Sequence, residues 1–271
     1  MIEALVLGTI QGIAEWLPIS SDGMVVLAKQ YLFNDTSSIA DLLKFALLLH
    51  AGTLVAATVY FRRDVIQILK GLIWWKQADD EMHSLIRFLF FSTATTGVVG
   101  YAMLTLLEDP MVWRILEWWE AGRVLTALTG IALLATAFFQ WKAGRHGAGK
   151  REARDLTMAD ALTLGLAQGF TVLPGLSRSG TTVSLLLLRG VADTSALRVS
   201  FLMSIPVVFA ANIAINYEYF LALTPETVIG IGAALAWGFA TIYWLMGLAS
   251  KVNFTKFVLF FAVVTLVAAF V

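Results

Sequence analysis

The sequence has no cysteine, only five prolines and few charges: Asp, Glu, Lys and Arg make up 14% of its 271 residues. The lack of cysteine excludes disulfide scaffolds, thiol catalysis and zinc sites with cysteine ligands. Soluble domains carry about 25% charged residues, so a soluble fold of this chain would expose large apolar patches. With 59% hydrophobic residues and a mean hydropathy of +0.79, the chain is predicted to be an all-α polytopic membrane protein.

Two further absences exclude particular classes of function. Nineteen basic and nineteen acidic side chains cancel, so there is no overall basic field and nucleic acid is not expected as a partner. The sequence also lacks the motifs of zinc proteases, α/β-hydrolases and nucleotide-binding proteins.

Six segments are apolar enough to cross a bilayer, which takes about 20 residues of helix. These spans are 42–61, 86–107, 122–141, 199–217, 227–248 and 255–271. Two other apolar stretches, 2–32 and 158–190, are interrupted by Pro18 and by Pro174-Gly175. Proline breaks a helix, and broken backbone at membrane depth survives only inside protein or beside water. We therefore predict that both stretches are re-entrant helix–break–helix hairpins.

The loops between these segments predict the orientation. Basic residues are concentrated in alternate connections, namely 62–85, 142–157, 189–198 and 251–256. Loops rich in Lys and Arg lie on the cytoplasmic side. All four fall on that side only if both broken stretches are re-entrant. The prediction is a plasma-membrane protein with both termini outside.

The two broken stretches resemble each other in sequence. Ala4 to Gly8 and Gln11-Gly12 match Ala161 to Gly165 and Gln168-Gly169, and both stretches continue to a Leu-Pro pair. Three spans follow each stretch. Because three is an odd number of crossings, the second repeat has the opposite orientation in the membrane. The pattern predicts an inverted repeat, with broken helices that build a ligand site near the midplane. The first repeat is 1–141, a basic linker covers 142–157 and the second repeat is 158–271. Chance similarity between two apolar segments is the alternative.

The second break contains the residue types of an anion site. A serine before a helix can cap it, and the free N–H groups and dipole of a helix N-terminus attract anions. Arg178 adds a fork of donors. The other predicted substrate-binding residues are Gly175, Ser177, Ser179, Gly180, Thr181 and Thr182. The alternative is a kinked helix whose arginine reaches the interface, but the cost of a charge in a membrane segment favours the site.

The first break begins with two polar residues on one helical face. Gln11 and Glu15 are four apart and therefore neighbours on a helix. Glu15 is predicted to face the cavity, because a carboxylate facing lipid is costly. It can hold a divalent cation with Gln11, act as a general base or pair with Arg178.

The residues after Pro18 are also polar. Ser20 or Ser21 can cap the second half-helix, which places Asp22 in its first turn. Asp22 has either a capping or a chemical role. His50 lies inside the first span, where we interpret it as a packed residue rather than a ligand.

At these two segments the sequence resembles the undecaprenyl-diphosphatase family, also called the bacitracin-resistance family. The family's first motif resembles Glu/Gln-x-x-x-Glu followed by Phe-Leu-Pro-x-Ser-Ser-Thr-Gly-His, and residues 11–24 align with it. Its second motif, Pro-Gly-x-Ser-Arg-Ser-Gly, matches residues 174–180, and Thr182 matches a further position. The resemblance implies removal of the terminal phosphate from a C55 polyprenyl diphosphate, at a site open to the outer face and with a divalent cation, Mg²⁺ or Ca²⁺.

The resemblance also implies roles for individual residues. Gln11 and Glu15 correspond to the metal-associated pair. The corresponding phosphate pocket is Ser20, Ser21, Ser177, Arg178, Ser179 and Thr182. The predicted catalytic residues are Glu15, Ser21, Asp22 and Arg178, with water or Ser21 as the nucleophile.

The first motif departs from the family at two positions. Asp22 replaces the threonine and Met24 replaces the histidine, and a thioether cannot transfer protons. Asp22, or Glu15 with a water, could replace the missing base. The alternative functions are a polyprenyl-phosphate flippase with weak or no hydrolysis and a non-catalytic lipid-phosphate receptor. The expected partners are the polyprenyl lipid and the membrane, and a homodimer is left open.

Overall fold

The structure is a computed structural model that describes residues 1–37, 39–107, 111, 121–144, 149–173, 175–221, 223–249 and 254–270. Within these residues the fold is helical, and the one extended pairing is an isolated bridge between Arg151 and Val191. The helices are α1 (Ile2–Ala14), α2 (Ser21–Leu27), α3 (Ile39–Tyr60), α4 (Arg62–Ile73), α5 (Asp80–Leu107), α6 (Ala121–Gly144), α7 (Met158–Phe170), α8 (Arg178–Leu188), α9 (Asp193–Leu221), α10 (Pro225–Ala249) and α11 (Phe254–Ala268). A π-helical turn, Ala28–Leu32, extends α2.

The helices are those of a multi-pass membrane protein. Four are long and apolar enough to cross a membrane, with candidate spans Asp41–Tyr60, Asp80–Leu106, Asp193–Tyr217 and Pro225–Leu248. They carry four of the predicted spans. The remaining two fall on α6 and α11, whose apolar parts, Thr126–Phe138 and Thr255–Ala268, are shorter. The count of six spans therefore stays a prediction.

Both broken stretches consist of two helices joined by a short irregular segment. The chain leaves helical geometry between α1 and α2, and again between α7 and α8. Each second helix begins with a serine cap: the Ser20 Oγ accepts a hydrogen bond from the Gly23 N–H at 3.2 Å, and the Ser177 Oγ accepts one from the Gly180 N–H at 3.1 Å. Pro174 lies outside the described residues. Gly175 has a φ of +97°, a backbone conformation that favours glycine.

In each stretch the start of the first helix lies beside the end of the second. Lys29 Nζ is 3.6 Å from the Glu3 Oε1 in the first stretch. In the second, Arg189 pairs with the buried Asp160, and Arg151 Nη2 donates to the same carboxylate at 2.6 Å. Burial raises the pKa of Asp160, but hydrogen bonds from Arg151 and Thr157 outweigh it and hold the pKa well below its usual range.

Glycines allow the first helix of each stretch to pack closely against a long helix. A Cβ on Gly8 of α1 would lie 2.1 Å from the Gly230 O of α10, and one on Gly165 of α7 would lie 2.6 Å from the Ser92 O of α5. Small residues permit such close approach where lipid offers no hydrophobic drive for helix association. This packing fixes both broken stretches within the helical core.

Candidate active site

Glu15 is the centre of the candidate site and lies at the end of α1, where the first break begins. Its side chain is buried, and its Oε1 accepts a hydrogen bond from Arg178 Nη2 at 2.5 Å. Its Oε2 accepts from the Gln11 Nε2 at 2.9 Å and from the Ser21 Oγ at 2.8 Å. The His50 Nε2 lies 3.0 Å from the same oxygen. The two breaks therefore meet at one carboxylate, which accepts hydrogen bonds from three side chains and lies beside the His50 ring.

Arg178 occupies the first position of α8, directly after the serine cap. A cation is disfavoured there because the N-terminal end of the helix dipole is positive. The carboxylate of Glu15 compensates both positive charges. The guanidinium also lies 5.6 Å from the ring of Trp16, a cation–π distance, and the Trp16 ring packs edge-on against Phe201 at 4.9 Å. Charge and packing thus hold Arg178 in one orientation.

His50 reaches the site from α3, where it is buried as a packed residue and also lies beside Glu15. Its Nδ1 lies 2.9 Å from the Ala46 carbonyl oxygen, and its Nε2 lies 3.0 Å from the Glu15 Oε2. Both oxygens can accept a hydrogen bond from the ring. The available signal in the sequence was an ionisable residue inside an apolar span, which is itself a functional indication.

Asp22 lies at the edge of this cluster and does not cap α2, because Ser20 supplies the cap. One carboxylate oxygen of Asp22, Oδ1, is buried without a hydrogen-bond donor. It lies 3.8 Å from the His50 Nδ1. The Gln11 Oε1 is also buried without a donor. The site therefore contains two oxygen atoms with unused hydrogen-bonding capacity.

The hydroxyls predicted to bind phosphate connect the two breaks instead of standing free. The Ser179 Oγ donates to the Leu17 carbonyl oxygen at 2.6 Å, and the Ser177 Oγ is 3.4 Å from the same oxygen. The Thr182 Oγ1 donates to the Arg178 carbonyl oxygen at 2.9 Å and is 2.6 Å from the Ser200 Oγ. The two serine contacts join the start of α8 to the first break, and the Thr182 contact joins α8 to α9.

The remaining predicted substrate-binding residues lie along the same segment. Gly175 precedes α8, and its carbonyl oxygen accepts a hydrogen bond from the Thr129 Oγ1 at 3.4 Å. Thr181 and Gly180 are in the first turn of α8. A Cβ on Gly180 would lie 3.2 Å from the Pro18 Cβ. Gly180 is therefore a point of close contact between the two breaks.

The divalent cation expected at Gln11 and Glu15 stays a prediction. Both oxygens of Glu15 already accept hydrogen bonds from protein side chains. Among the described residues, no group of three or more His, Asp or Glu side chains is arranged to hold a metal. A cation on Glu15 would share the carboxylate with Arg178, Gln11 and Ser21.

Comparison with known proteins gives a consistent result over the whole chain. Residues 4–267 match the family described as bacitracin resistance protein BacA. An undecaprenyl-diphosphatase of Methanococcoides burtonii is 38% identical, and the alignment covers 99% of this chain and 98% of that protein. The undecaprenyl-diphosphatase of Haloarcula marismortui is 37% identical over 94% of this chain and 92% of the relative. The undecaprenyl-diphosphatase of Methanothrix thermoacetophila is 33% identical over 98% of this chain and 95% of the relative.

Proposed function

Because this chain belongs to the bacitracin resistance protein family BacA, we propose that it is an undecaprenyl-diphosphatase, a membrane enzyme that converts undecaprenyl diphosphate to the monophosphate. The observation that carries this proposal is the contact between Arg178 and Glu15 across the two breaks. It places an anion-binding cation and a carboxylate base at one point inside an apolar helical core. Relatives named as phosphatases do not favour the flippase alternative.

Arg178 has the binding role in this mechanism. Its guanidinium and the N-terminal end of α8 bind the oxygens of the terminal phosphate, where negative charge develops during the reaction. Donors fixed in advance at such a position stabilise the transition state more than the ground state. The phosphate competes with Glu15 for the guanidinium, which frees the Glu15 Oε1.

Ser21 is the proposed nucleophile and Glu15 the base. A nucleophile and its base within hydrogen-bond reach are the recognisable arrangement of covalent catalysis, and the Ser21 Oγ donates to the Glu15 Oε2 at 2.8 Å. The Ser21 proton moves to Glu15 as the Oγ–P bond forms. The bond from phosphorus to the bridging oxygen breaks, and the lipid monophosphate leaves with the electron pair. Water then hydrolyses the phosphoserine, which releases inorganic phosphate.

The test is phosphate release from undecaprenyl diphosphate by the purified protein in detergent. Removing one well-placed transition-state donor costs about 10²–10³-fold in turnover, so Arg178→Ala is expected to lose that much. Arg198→Ala is the matched control. Arg198 also forms an ion pair with a carboxylate, that of Asp64, but its own side chain is exposed. Release by Arg178→Ala at the wild-type rate would contradict the assigned role, and no release by the wild type would contradict the enzyme.

We propose a divalent cation as a partner of the substrate rather than of Glu15. Hard divalent cations bind phosphate oxygens together with few protein ligands, and Asp22 has a buried oxygen without a donor. Chelation with EDTA is expected to lower phosphate release, and added Mg²⁺ or Ca²⁺ to restore it. Full activity in EDTA would contradict this proposal.

The finer architecture is also a proposal: two inverted repeats, 1–141 and 158–271, joined by the basic linker 142–157, with re-entrant hairpins 2–32 and 158–190. The side-chain contacts between Glu3 and Lys29, and between Asp160 and Arg189, support hairpins that return to their own side. The close packing of α1 against α10 and of α7 against α5 supports the repeat, since both contacts use matched glycines.

The orientation can be tested directly, because the chain has no native cysteine. Ile2→Cys and Phe270→Cys report on the exposed ends, which are 78% and 79% accessible. Lys150→Cys reports on the linker. In intact cells an impermeant maleimide is expected to label positions 2 and 270 and to spare position 150. The reverse pattern would contradict termini outside and a site that opens to the outer face of the plasma membrane.

A further inference from the structure

The site contains an imidazole although the first motif does not supply one. The family's histidine position is Met24 in this chain, and its side chain is 42% exposed on α2. His50, by contrast, is buried and its Nε2 lies 3.0 Å from the Glu15 Oε2. The two residues belong to different helices. The imidazole beside Glu15 therefore comes from α3 and not from the motif position on α2.

We propose that His50 positions Glu15 as the base of the phosphatase reaction. This inference rests on the proposed function. The His50 Nε2 lies 3.0 Å from the Glu15 Oε2, the oxygen that accepts a hydrogen bond from the Ser21 hydroxyl. The imidazole therefore keeps that oxygen next to the nucleophile.

His50 is held in place on both sides of the ring and along its helix. The hydrogen bond between its Nδ1 and the Ala46 carbonyl oxygen fixes the ring plane. Two residues further along α3, a Cβ on Gly52 would lie only 2.2 Å from the Ile231 O of α10. That close approach leaves α3 little freedom to shift against the core. A base is effective only when such supporting contacts fix its orientation.

His83, the other histidine that the structure describes, does not offer an imidazole to the site. Its Nε2 lies 2.8 Å from the Trp75 carbonyl oxygen, and its ring packs against the Trp75 ring at the start of α5. The third histidine of the sequence, His146, lies outside the described residues. Within the described part of the chain, His50 is therefore the imidazole that contacts Glu15.

The charges of the cluster agree with this assignment. Arg178 donates to one oxygen of Glu15, and His50 and Ser21 approach the other. Without His50, Oε2 would lose the imidazole that keeps it next to Ser21, while Arg178 would still draw the carboxylate from the opposite side. The binding of phosphate by Arg178 would persist, so the loss should appear in turnover and not in substrate binding.

The test compares His50→Gln with the wild type in phosphate release from undecaprenyl diphosphate. Proton transfer aided by a positioned side chain contributes about 10²–10⁴-fold, so kcat is expected to fall at least about 100-fold, with KM within about threefold. Gln keeps a polar side chain of similar length, and Met24→Leu is the control for an apolar change at the motif position. A kcat for His50→Gln within threefold of the wild type would overturn the proposal.

A rescue variant separates a positioning role from a folding defect. Ser21 and Met24 are three residues apart on α2 and are therefore neighbours on its surface. Met24→His in the His50→Gln background is expected to restore at least a tenth of the wild-type kcat, because it returns an imidazole beside the nucleophile. Failure of this double variant to regain activity would overturn the equivalence of the two positions. A wild type without phosphate release would overturn the proposed function and this inference together.

Discussion

The Arg178 Nη2 lies 2.5 Å from the Glu15 Oε1, although the two residues are 163 positions apart in the sequence. Each belongs to a break in an apolar stretch, and each would be costly in the membrane without the other. Their contact fixes the crossing of the two broken stretches. It also means that the site can be disturbed from either stretch.

Neutralising Glu15 is expected to damage both activity and stability. Glu15→Gln keeps the shape of the side chain but leaves Arg178 and His50 without their anion, and breaking a buried ion pair costs about 3–5 kcal/mol. Phosphate release should be lost, and thermal unfolding in detergent should shift to lower temperature. The control is Glu3→Gln. The Glu3 side chain is 42% exposed, and its Oε1 lies 3.6 Å from the Lys29 Nζ. An unfolding temperature for Glu15→Gln equal to that of Glu3→Gln would argue against the buried pair.

The hydroxyl of Ser179 is expected to matter through alignment of the breaks. Ser179→Ala removes one hydrogen bond to the Leu17 carbonyl oxygen, which costs about 0.5–1.5 kcal/mol because the Ile19 N–H still donates to that oxygen. We expect a lower unfolding temperature and a lower kcat. Thr163→Val removes an exposed hydroxyl that donates to the Ala159 carbonyl oxygen of its own helix. This change should alter neither the unfolding temperature nor kcat. A wild-type kcat in Ser179→Ala would show that the Leu17 contact does not align the site.

The matched glycines predict similar packing defects in the two repeats. Gly8→Ala and Gly165→Ala would each place a methyl group against the backbone of a neighbouring helix, and such overpacking costs about 1–3 kcal/mol. Both variants should unfold at lower temperature than the wild type. Gly232→Ala, where an added Cβ meets nothing within 4 Å, should be neutral or slightly stabilising. Equal stability of all three variants would contradict the close helix contacts.

Asp160 should make stability depend on pH in the acidic range. Its pKa is lowered in the folded protein, so its contribution is present above the unfolded pKa of about 3.9 and is lost as pH falls through the folded pKa. Asp160→Asn should lower the unfolding temperature at pH 7. The difference from wild type corresponds to about 1–2 kcal/mol, because both arginine partners are partly exposed.

Measurements of thermal unfolding between pH 7 and pH 3 test the sign of this effect. The gap between wild type and Asp160→Asn should stay constant down to about pH 5 and shrink below about pH 4. Glu226→Gln provides a carboxylate control on the exposed start of α10. A gap that widens as the pH falls would contradict a lowered pKa.

The sequence predicted the parts of the site that are rare in membrane segments. Pro18, Glu15 and Arg178 stand out because broken helices and charges are costly in a bilayer, so few positions carry them without a function. His50 was undervalued because its role depends on how α3 packs against α10, which no local spacing encodes. The contact between α3 and α10 at Gly52 decides that placement.

The hydroxyls of the second break show a different limit. Their residue type predicted hydrogen bonds, but the sequence could not say whether ligand or protein would receive them. The first break leaves the Leu17 carbonyl outside a regular helix, and the Ile19 N–H and the Ser179 hydroxyl both donate to it.

The resting cluster around Glu15 has a consequence for selectivity between lipid-borne and soluble anions. Because the guanidinium already faces a carboxylate, an incoming phosphate must replace an existing partner rather than fill an open positive site. A dissolved phosphate ion has no further interaction that would favour this replacement. A diphosphate carried on a long isoprenoid chain is confined to the bilayer next to the breaks, and this confinement raises its effective concentration. Free inorganic phosphate should therefore be a poor competitor even at concentrations well above those of the lipid.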